Sequence, residues 1–527
     1  MTMRPRIALC LAVAGSLAAA SCSSGGKNLG NAGIDNTTAT TAAGSTSAPV
    51  TLAPGETLPP GETLPTADTT PAETAAPATT QPALLDSLPK CDVGLLDSAS
   101  SSGPVEITFW HGLSDANGEE LTKVTDAYNA SQSKVKVNLQ FQGGYNETID
   151  KYLQSDTANR PDLVQMPEYM LQQMVDTKSI VPAQACAESA GYDTSPFLPG
   201  ALQAYATQGV QWSLPFNISL PVLFFLKPTF VKAGLDPANP PQTLDDLLAA
   251  GKQIVSSGAA PYSIALDSDF DGGGGWYVEQ LLAKSGEFYA DNENGRAAPA
   301  TKVLYDGPAG LKLFTYLQTL ITEGGAVYVG DNASGTDALL KLADATAPAA
   351  MTLSTSASLG PVFAALGSGL IPGITAADVG VGLMPGPVNG LGGLVGGNSL
   401  YIVDGKGGDK AAAAWDFMTY LDSAQVQSSF AAATGYIPVR QDSLDLDPIK
   451  STYADDSRYK VAYDQLAGSA DSPTSLGPVI GPLQQVRKVT AEAVASVLTG
   501  GDPQTALTSA AQQANDLISN YNLTNGG

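Results

Sequence analysis

The chain has 527 residues and a formal charge of −25, with 51 acidic side chains, 26 basic ones and a single histidine. A surplus of that sign excludes the basic footprint that nucleic-acid binding and adhesion to anionic membranes require. One His and four Cys give no zinc-binding cluster, and the length exceeds what one hydrophobic core spans, so two lobes are expected.

Arg4 and Arg6 precede an apolar stretch from Ile7 to Ala20, interrupted by Gly15 and Ser16. This is the build of a secretory signal, too short for a bilayer span of about 20 apolar residues. It ends in Ala18-Ala19-Ala20-Ser21-Cys22, followed by Ser23-Ser24-Gly25-Gly26, which looks like a lipoprotein cleavage site, with Ala19 where Leu is commoner. Residues 1–21 are therefore expected to leave as a signal peptide and Cys22 to carry lipid, palmitate included. The mature protein then sits outside the cytoplasm, held at the cell membrane by the anchor alone; ordinary cleavage and release is the alternative. Loss of residues 1–21 removes two Arg and no acid, taking the formal charge from −25 to −27.

Residues 22–103 read as a low-complexity linker rich in Ser, Thr, Ala, Pro and Gly, with Pro54-Gly55-Glu56-Thr57-Leu58-Pro59 repeated at 60–65. Such a composition buries too little apolar surface to order itself, and as a coil it reaches on the order of 50 Å. The stretch from Leu84 to Leu96 is more apolar and is expected to dock on the folded part. Cys10 leaves with the signal and Cys22 takes lipid, so Cys91 and Cys186 remain; in an oxidising compartment they are expected to form a disulfide, two free buried thiols being the alternative.

From residue 104 the rhythm is α/β. Val105, Ile107 and Phe109 alternate as in a strand, and Leu121, Val124 and Tyr128 recur at helical spacing. Val135, Val137, Leu139 and Phe141 alternate again; a helix near Ile149 to Leu153 and a short strand from Leu163 to Met166 follow. That order predicts a parallel sheet, whose ligands bind beyond the carboxyl ends of the strands. Trp110-His111, Gly143-Gly144-Tyr145 and Pro167-Glu168 all lie there. Later helices are read at 244–255, 311–321, 411–421 and 491–498, and strands at 379–383 and 400–403, with glycine-rich 390–397 as a connection near a hinge.

The run Ile107-Thr108-Phe109-Trp110-His111, the segments Pro215-Phe216-Asn217-Ile218-Ser219, Met351-Thr352, Gly396-Gly397-Asn398-Ser399-Leu400 and Thr434-Gly435-Tyr436-Ile437-Pro438, and Gln485-Val486-Arg487 together resemble the family 1 extracellular solute-binding proteins of ABC transporters, nearest to the glycerol-3-phosphate and glycerophosphodiester binders. The resemblance covers nearly all of 104–525. It implies an α/β, two-lobed fold like that of maltose-binding protein, hinged between lobes, with 104–217 and 351–402 in lobe 1 and 218–350 and 403–527 in lobe 2. It implies a ligand set of Tyr145, Glu168, Ser219, Gly397, Tyr436 and Arg487, with Thr355 at the family's pocket Ser and Ser356 beside it. Two Trp three residues apart mark the family's glycerol phosphate binders; here Trp276 keeps the second and Gly273 takes the first, which is expected to open the pocket to a larger ligand. A cationic head group then meets the face of Trp276 and the charge of Asp271. Arg487 is expected to hold the anionic end.

The function implied is capture of glycerol 3-phosphate or a glycerophosphodiester such as glycerophosphocholine, without cofactor or metal, for delivery to ABC permease subunits. An oligosaccharide is the alternative ligand, and a surface hydrolase or adhesin the remaining class. Asp267-Ser268-Asp269-Phe270-Asp271-Gly272 matches half of an EF-hand loop, but Val278 stands where the closing Glu belongs, so an acidic cleft loop is preferred to a calcium site. His111 has no Gly-x-Ser-x-Gly elbow to serve, so a Ser-His-Asp hydrolase is not expected.

Overall fold

The computed structural model describes residues 81–331, 336–470 and 472–525. The signal peptide, Cys22 and the Pro-Gly repeat lie outside them.

Two sheets organise the chain. In the first, the strand order is Val135–Phe141, Val105–His111, Leu163–Pro167, Gly396–Val403 and Ile180–Val181, with Leu214–Ser219 also paired to Gly396–Val403. Its first three strands run parallel, and Gly396–Val403 runs against them. The alternation read at 105–109 turns Val105, Ile107 and Phe109 into the core. Helix Asp115–Ser131 packs on the neighbouring strand Val135–Phe141 and buries Leu121, Val124 and Tyr128.

The second sheet runs in the order Val327–Gly330, Tyr262–Asp267, Ala349–Thr355, Pro221–Leu226 and Val379–Leu383. Leu214–Ser219 and Pro221–Leu226 are buried along their whole lengths; the second reads as an unbroken apolar run, and the first is interrupted by the buried polar residues Asn217 and Ser219. The chain crosses from the first sheet to the second at Leu220 and returns through 384–395. The return is paired at once, with Gly396 opposite Ser219 and Gly397 opposite Ile218.

Several boundaries differ from the expectation. Ala349–Thr355 and Val379–Leu383 both flank Pro221–Leu226 in the second sheet, so lobe 1 regains the chain at 396 and not at 351. Apolar alternation marks a strand but carries no information about which sheet it joins. Helix Gly408–Leu421 packs on the strand Val105–His111, and helix Ala424–Thr434 on helix Asp115–Ser131, which moves 403–434 from lobe 2 to lobe 1. Order also begins before 104. Leu85, Cys91 and Leu96 are buried, helix Leu95–Ala99 lies against helix Gly408–Leu421, and Cys91 is bonded to Cys186, 95 residues on. The linker therefore does not extend to 103.

The read helices are present but longer: Leu244–Ser256, Pro308–Thr322, Gly408–Leu421 and Leu483–Leu498. The last carries Arg487 on its second turn and packs along helix Pro503–Asn525. Among the described residues no helix is long and apolar enough to cross a membrane.

Candidate functional site

Glu168 opens a short turn directly after the strand Leu163–Pro167, as expected of a residue beyond a strand's carboxyl end. Facing it from the other lobe is Arg487, 1% exposed. Its Nε donates to Glu279 Oε1 at 2.6 Å and its Nη2 to Glu279 Oε2 at 2.8 Å. Nη2 also donates to Glu168 Oε1 at 2.8 Å, and Nη1 to Asp271 Oδ1 at 3.2 Å. The guanidinium lies 5.0 Å from the centre of the Tyr169 ring.

One cation thus serves three carboxylates. Burial pushes Glu168 up and the Arg487 charge pulls it back down. Asp271 is raised well above the usual carboxylate range, first by burial and then by the Glu168 charge. Burial works against the Arg487 charge, yet the carboxylates, Glu279 foremost, outweigh it and raise its pKa. Asp271, whose side chain keeps 36% of its surface, is the member of the group most open to the cleft.

A second group gathers around the crossing strands. The hydroxyls of Tyr145 and Tyr436 stand 3.2 Å apart, and burial raises both well away from ionisation, so they act as neutral hydrogen-bonding groups. Asp271's charge reaches both, which joins them to the Arg487 group. Tyr145 starts the helix Tyr145–Gln154, and Tyr436 follows Gly435, whose left-handed φ of 89° ends helix Ala424–Thr434. Gly397 has φ of +90°, and a Cβ there would stand 2.1 Å from Asn217 O, so only glycine fits. A Cβ on Gly396 would stand 2.2 Å from the Trp276 ring, so the indole is seated on the return strand.

Several polar atoms here are buried without a well-formed protein hydrogen bond: Trp276 Nε1, Asn217 Nδ2, both amide atoms of Asn398, Ser356 Oγ and the Tyr169 hydroxyl. Such groups cost free energy unless something satisfies them. Asn217 and Asn398 are cross-strand partners, and Asn398 lies beside the Tyr145 hydroxyl. Ser219 is buried at the crossing, opposite Gly396.

Three expectations change. Arg487 is not an uncommitted fork: its Nε, Nη1 and Nη2 all donate to carboxylates. Thr355 spends its hydroxyl as acceptor for the Ala357 amide, while the neighbouring Ser356 presents a buried, unpartnered one. Gly273 is required by its loop, since a Cβ there would meet Asp267 O at 2.3 Å, so no larger side chain stands at this position without a change of backbone. The EF-hand-like loop is occupied internally as well: Asp267 Oδ1 accepts from the amides of Asp269 and Gly273, and Asp269 Oδ1 from that of Asp271.

Glu279 and the two asparagines are the residues the sequence reading passed over. The signal for Glu279 was an acid set directly after the apolar run Trp276-Tyr277-Val278, 1% exposed in the fold. His111 takes no part: it is buried against Phe109 and Phe141.

Comparison with known proteins decides the family. Residues 123–457, more than half of the chain, match the family model of the bacterial extracellular solute-binding proteins. The chain belongs to that family. Its members bind small molecules outside the cytoplasm and hand them to the permeases of ABC transporters; they are not enzymes. The sn-glycerol-3-phosphate-binding periplasmic protein UgpB of Pectobacterium atrosepticum is 28% identical over 443 residues, covering 82% of this chain and 95% of its own. UgpB of Rhizobium meliloti is 27% identical over 428 residues, covering 78% and 94%. Among solved structures, UgpB from Mycobacterium tuberculosis in complex with glycerophosphocholine superposes with a TM-score of 0.64 at 19% identity over 80% of this chain and 100% of that one. The sugar-binding protein MalE of Xanthomonas citri gives 0.64 at 18% identity over 80% and 99%. Both establish the two-lobed fold of this solute-binding protein.

Proposed function

We propose that this solute-binding protein captures a glycerol phosphate ester, glycerol 3-phosphate or a glycerophosphodiester such as glycerophosphocholine, between its lobes. The observation that carries this reading is the division of labour in the site. Neutral groups at the crossing, Trp276 Nε1, Asn217 Nδ2, Asn398 and Ser356 Oγ, are buried without a well-formed protein hydrogen bond, while Arg487 is committed to Glu168, Asp271 and Glu279. The phosphate is taken by the neutral donors with Tyr145, Tyr436 and the Gly397 backbone. The glycerol hydroxyls face Glu168 and Asp271, which accept from them. This reverses the role expected of Arg487, which here orients the acceptors. A head-group cation would lie toward Asp271 and the aromatic side chains Phe270 and Tyr169, 6.1 Å apart.

Residues 23–80 tether the domain through a lipid on Cys22, on the strength of the Ala18-Ala19-Ala20-Ser21-Cys22 pattern. Mass spectrometry of membrane-extracted protein should find a mature chain starting at acylated Cys22; an unmodified Cys22, or cleavage elsewhere, contradicts the anchor.

A neutral oligosaccharide is the second reading, favoured by the carboxylate surplus around Arg487, which suits hydroxyls better than a dianion. A thermal-shift panel separates the two, because a ligand at 100 times its Kd adds about 2.7 kcal/mol to stability. Glycerophosphocholine and glycerol 3-phosphate should raise the transition and maltotriose should not; the opposite pattern makes this a sugar binder.

A further inference from the structure

The helix Trp276–Lys284 touches the interlobe connection at three successive turns. Trp276 is seated on Gly396, where a Cβ would stand 2.2 Å from the ring. Gln280 Nε2 donates to Leu394 O at 2.6 Å and its Oε1 accepts from the Leu394 amide at 2.8 Å. Lys284 Nζ donates to Gly390 O at 2.8 Å and Leu391 O at 3.0 Å. Residues 276, 280 and 284 are spaced by four, so they form one stripe on the helix. The connection is shaped to receive it. A Cβ on Gly393 would stand 3.0 Å from Gln280 Oε1, and one on Gly386 would stand 3.0 Å from Lys284 Cδ. One residue from Gln280, Glu279 grips Arg487. A second buried glutamine braces both crossings: Gln465 Nε2 donates to Pro221 O at 3.1 Å and its Oε1 accepts from the Met384 amide at 2.7 Å.

These bonds fasten the connection to the second lobe as far as Leu394, while Gly396 is already paired with Ser219 in the first. On these two crossings the freedom left between the lobes lies at Val395–Gly396 and at Leu220. Gln280 is fully buried and makes two hydrogen bonds to one residue of the connection, a geometry that surface packing alone does not require.

From this we infer that Gln280 and Lys284 are positioning residues that fix where the lobes pivot, and that their helix transmits ligand contact at Trp276, and at Glu168 and Asp271 by way of Arg487 and Glu279, to the pivot. Neither side chain needs to touch ligand. Loosening them lets the bend spread back over 390–394, and closing the lobes then costs more conformational entropy. The inference rests on the interlobe site proposed above only for its ligand-binding consequence; the pivot itself exists without ligand.

The test uses the mature protein with Gln280→Met, Lys284→Met and Lys284→Arg. In ligand-free protein, amide exchange over 390–394 should quicken by about tenfold in both Met variants while the strands of the two sheets keep their protection. Lys284→Arg, which still donates to the two carbonyls, should stay near wild type. Affinity for glycerophosphocholine should fall by about tenfold in the Met variants, the scale of coupling free energies between sites, and recover in Lys284→Arg. Exchange over 390–394 that is unchanged in Lys284→Met, the partly exposed position where folding is safe, overturns the inference. So does exchange that quickens everywhere, which means a merely structural role. If the wild type binds no phosphate ester, the ligand reading fails while the exchange measurement still decides the pivot.

Discussion

Removing the Arg487 guanidinium leaves Glu279, 1% exposed, and Glu168 without their cation. Breaking a buried pair by deleting one partner typically costs about 3–5 kcal/mol. Arg487→Ala should therefore lower the denaturant midpoint whether or not ligand is present, and Arg487→Lys should lower it less, keeping the charge but losing the two-pronged contact with Glu279. An unchanged midpoint in Arg487→Ala contradicts the pairing. Weakened binding in Arg487→Ala therefore does not identify a ligand contact. Glu279→Gln, which keeps the shape and removes one charge, is the cleaner probe.

His111 gives a second prediction at this scale. Burial lowers its pKa from 6.5 to about 4, with a backbone hydrogen bond involving Leu113 opposing the shift. The folded state thus binds protons less readily than the unfolded one. The contribution to stability is fully present above pH 6.5 and is lost as pH falls toward 4, amounting to about 3 kcal/mol. Glu168 and Asp271 are shifted upward and act in the opposite sense, so comparison with His111→Phe isolates the histidine. Urea midpoints at pH 7.5 and 4.5 should differ more for wild type than for the variant; equal differences would sink the assignment. Recognisable motifs mark Tyr145, Glu168, Tyr436 and Arg487 as candidates, and the fold pairs Tyr145 with Tyr436 and Glu168 with Arg487. Glu279 and Asn217 are not so marked, because their surroundings come from partners far along the chain. Glu279 meets Arg487 208 positions later.

Among elements, the loop 267–275 shows how backbone proximity dictates composition. A Cβ would stand 2.3 Å from Ser268 O at Gly274 and 1.9 Å from Phe270 O at Gly275. The glycine run exists so that this coil can close in front of helix Trp276–Lys284. Gly396 plays the equivalent part for the indole. Gly396→Ala should displace Trp276, costing about 1–3 kcal/mol as overpacking does, and shift tryptophan emission to longer wavelength; an unchanged spectrum and midpoint would mean the ring is not seated there. The Cys91–Cys186 bond fastens the end of the tether to lobe 1. Closing a loop of this length is worth about 4–5 kcal/mol in the chain-entropy account, so mild reduction should lower the melting temperature and raise proteolysis within 84–103 first. Strands and helices were legible from periodicity, most within a few residues. Their allocation to lobes was not: nothing in the residues of Ala349–Thr355 names the sheet it joins, and only pairing with Pro221–Leu226 assigns it to the second sheet.

At the scale of the whole molecule, an acidic chain repels an anion in bulk, so capture must depend on donors focused in a poorly hydrated cleft, where each counts for more. The two lobes supply complementary halves: the first brings Tyr145, Glu168, Tyr436 and the crossing asparagines, and the second brings Trp276, Asp271 and Glu279 with Arg487. Neither half gathers the set alone, so on the proposed reading closure and binding are one event. The most direct test is calorimetric titration of the mature protein with glycerophosphocholine and with maltotriose under the same buffer. Saturable one-to-one binding of the phosphodiester, weakened by Glu279→Gln and by truncation of Tyr145, with no heat from maltotriose, is the predicted result. Saturable binding of maltotriose with none of the phosphodiester would contradict the account.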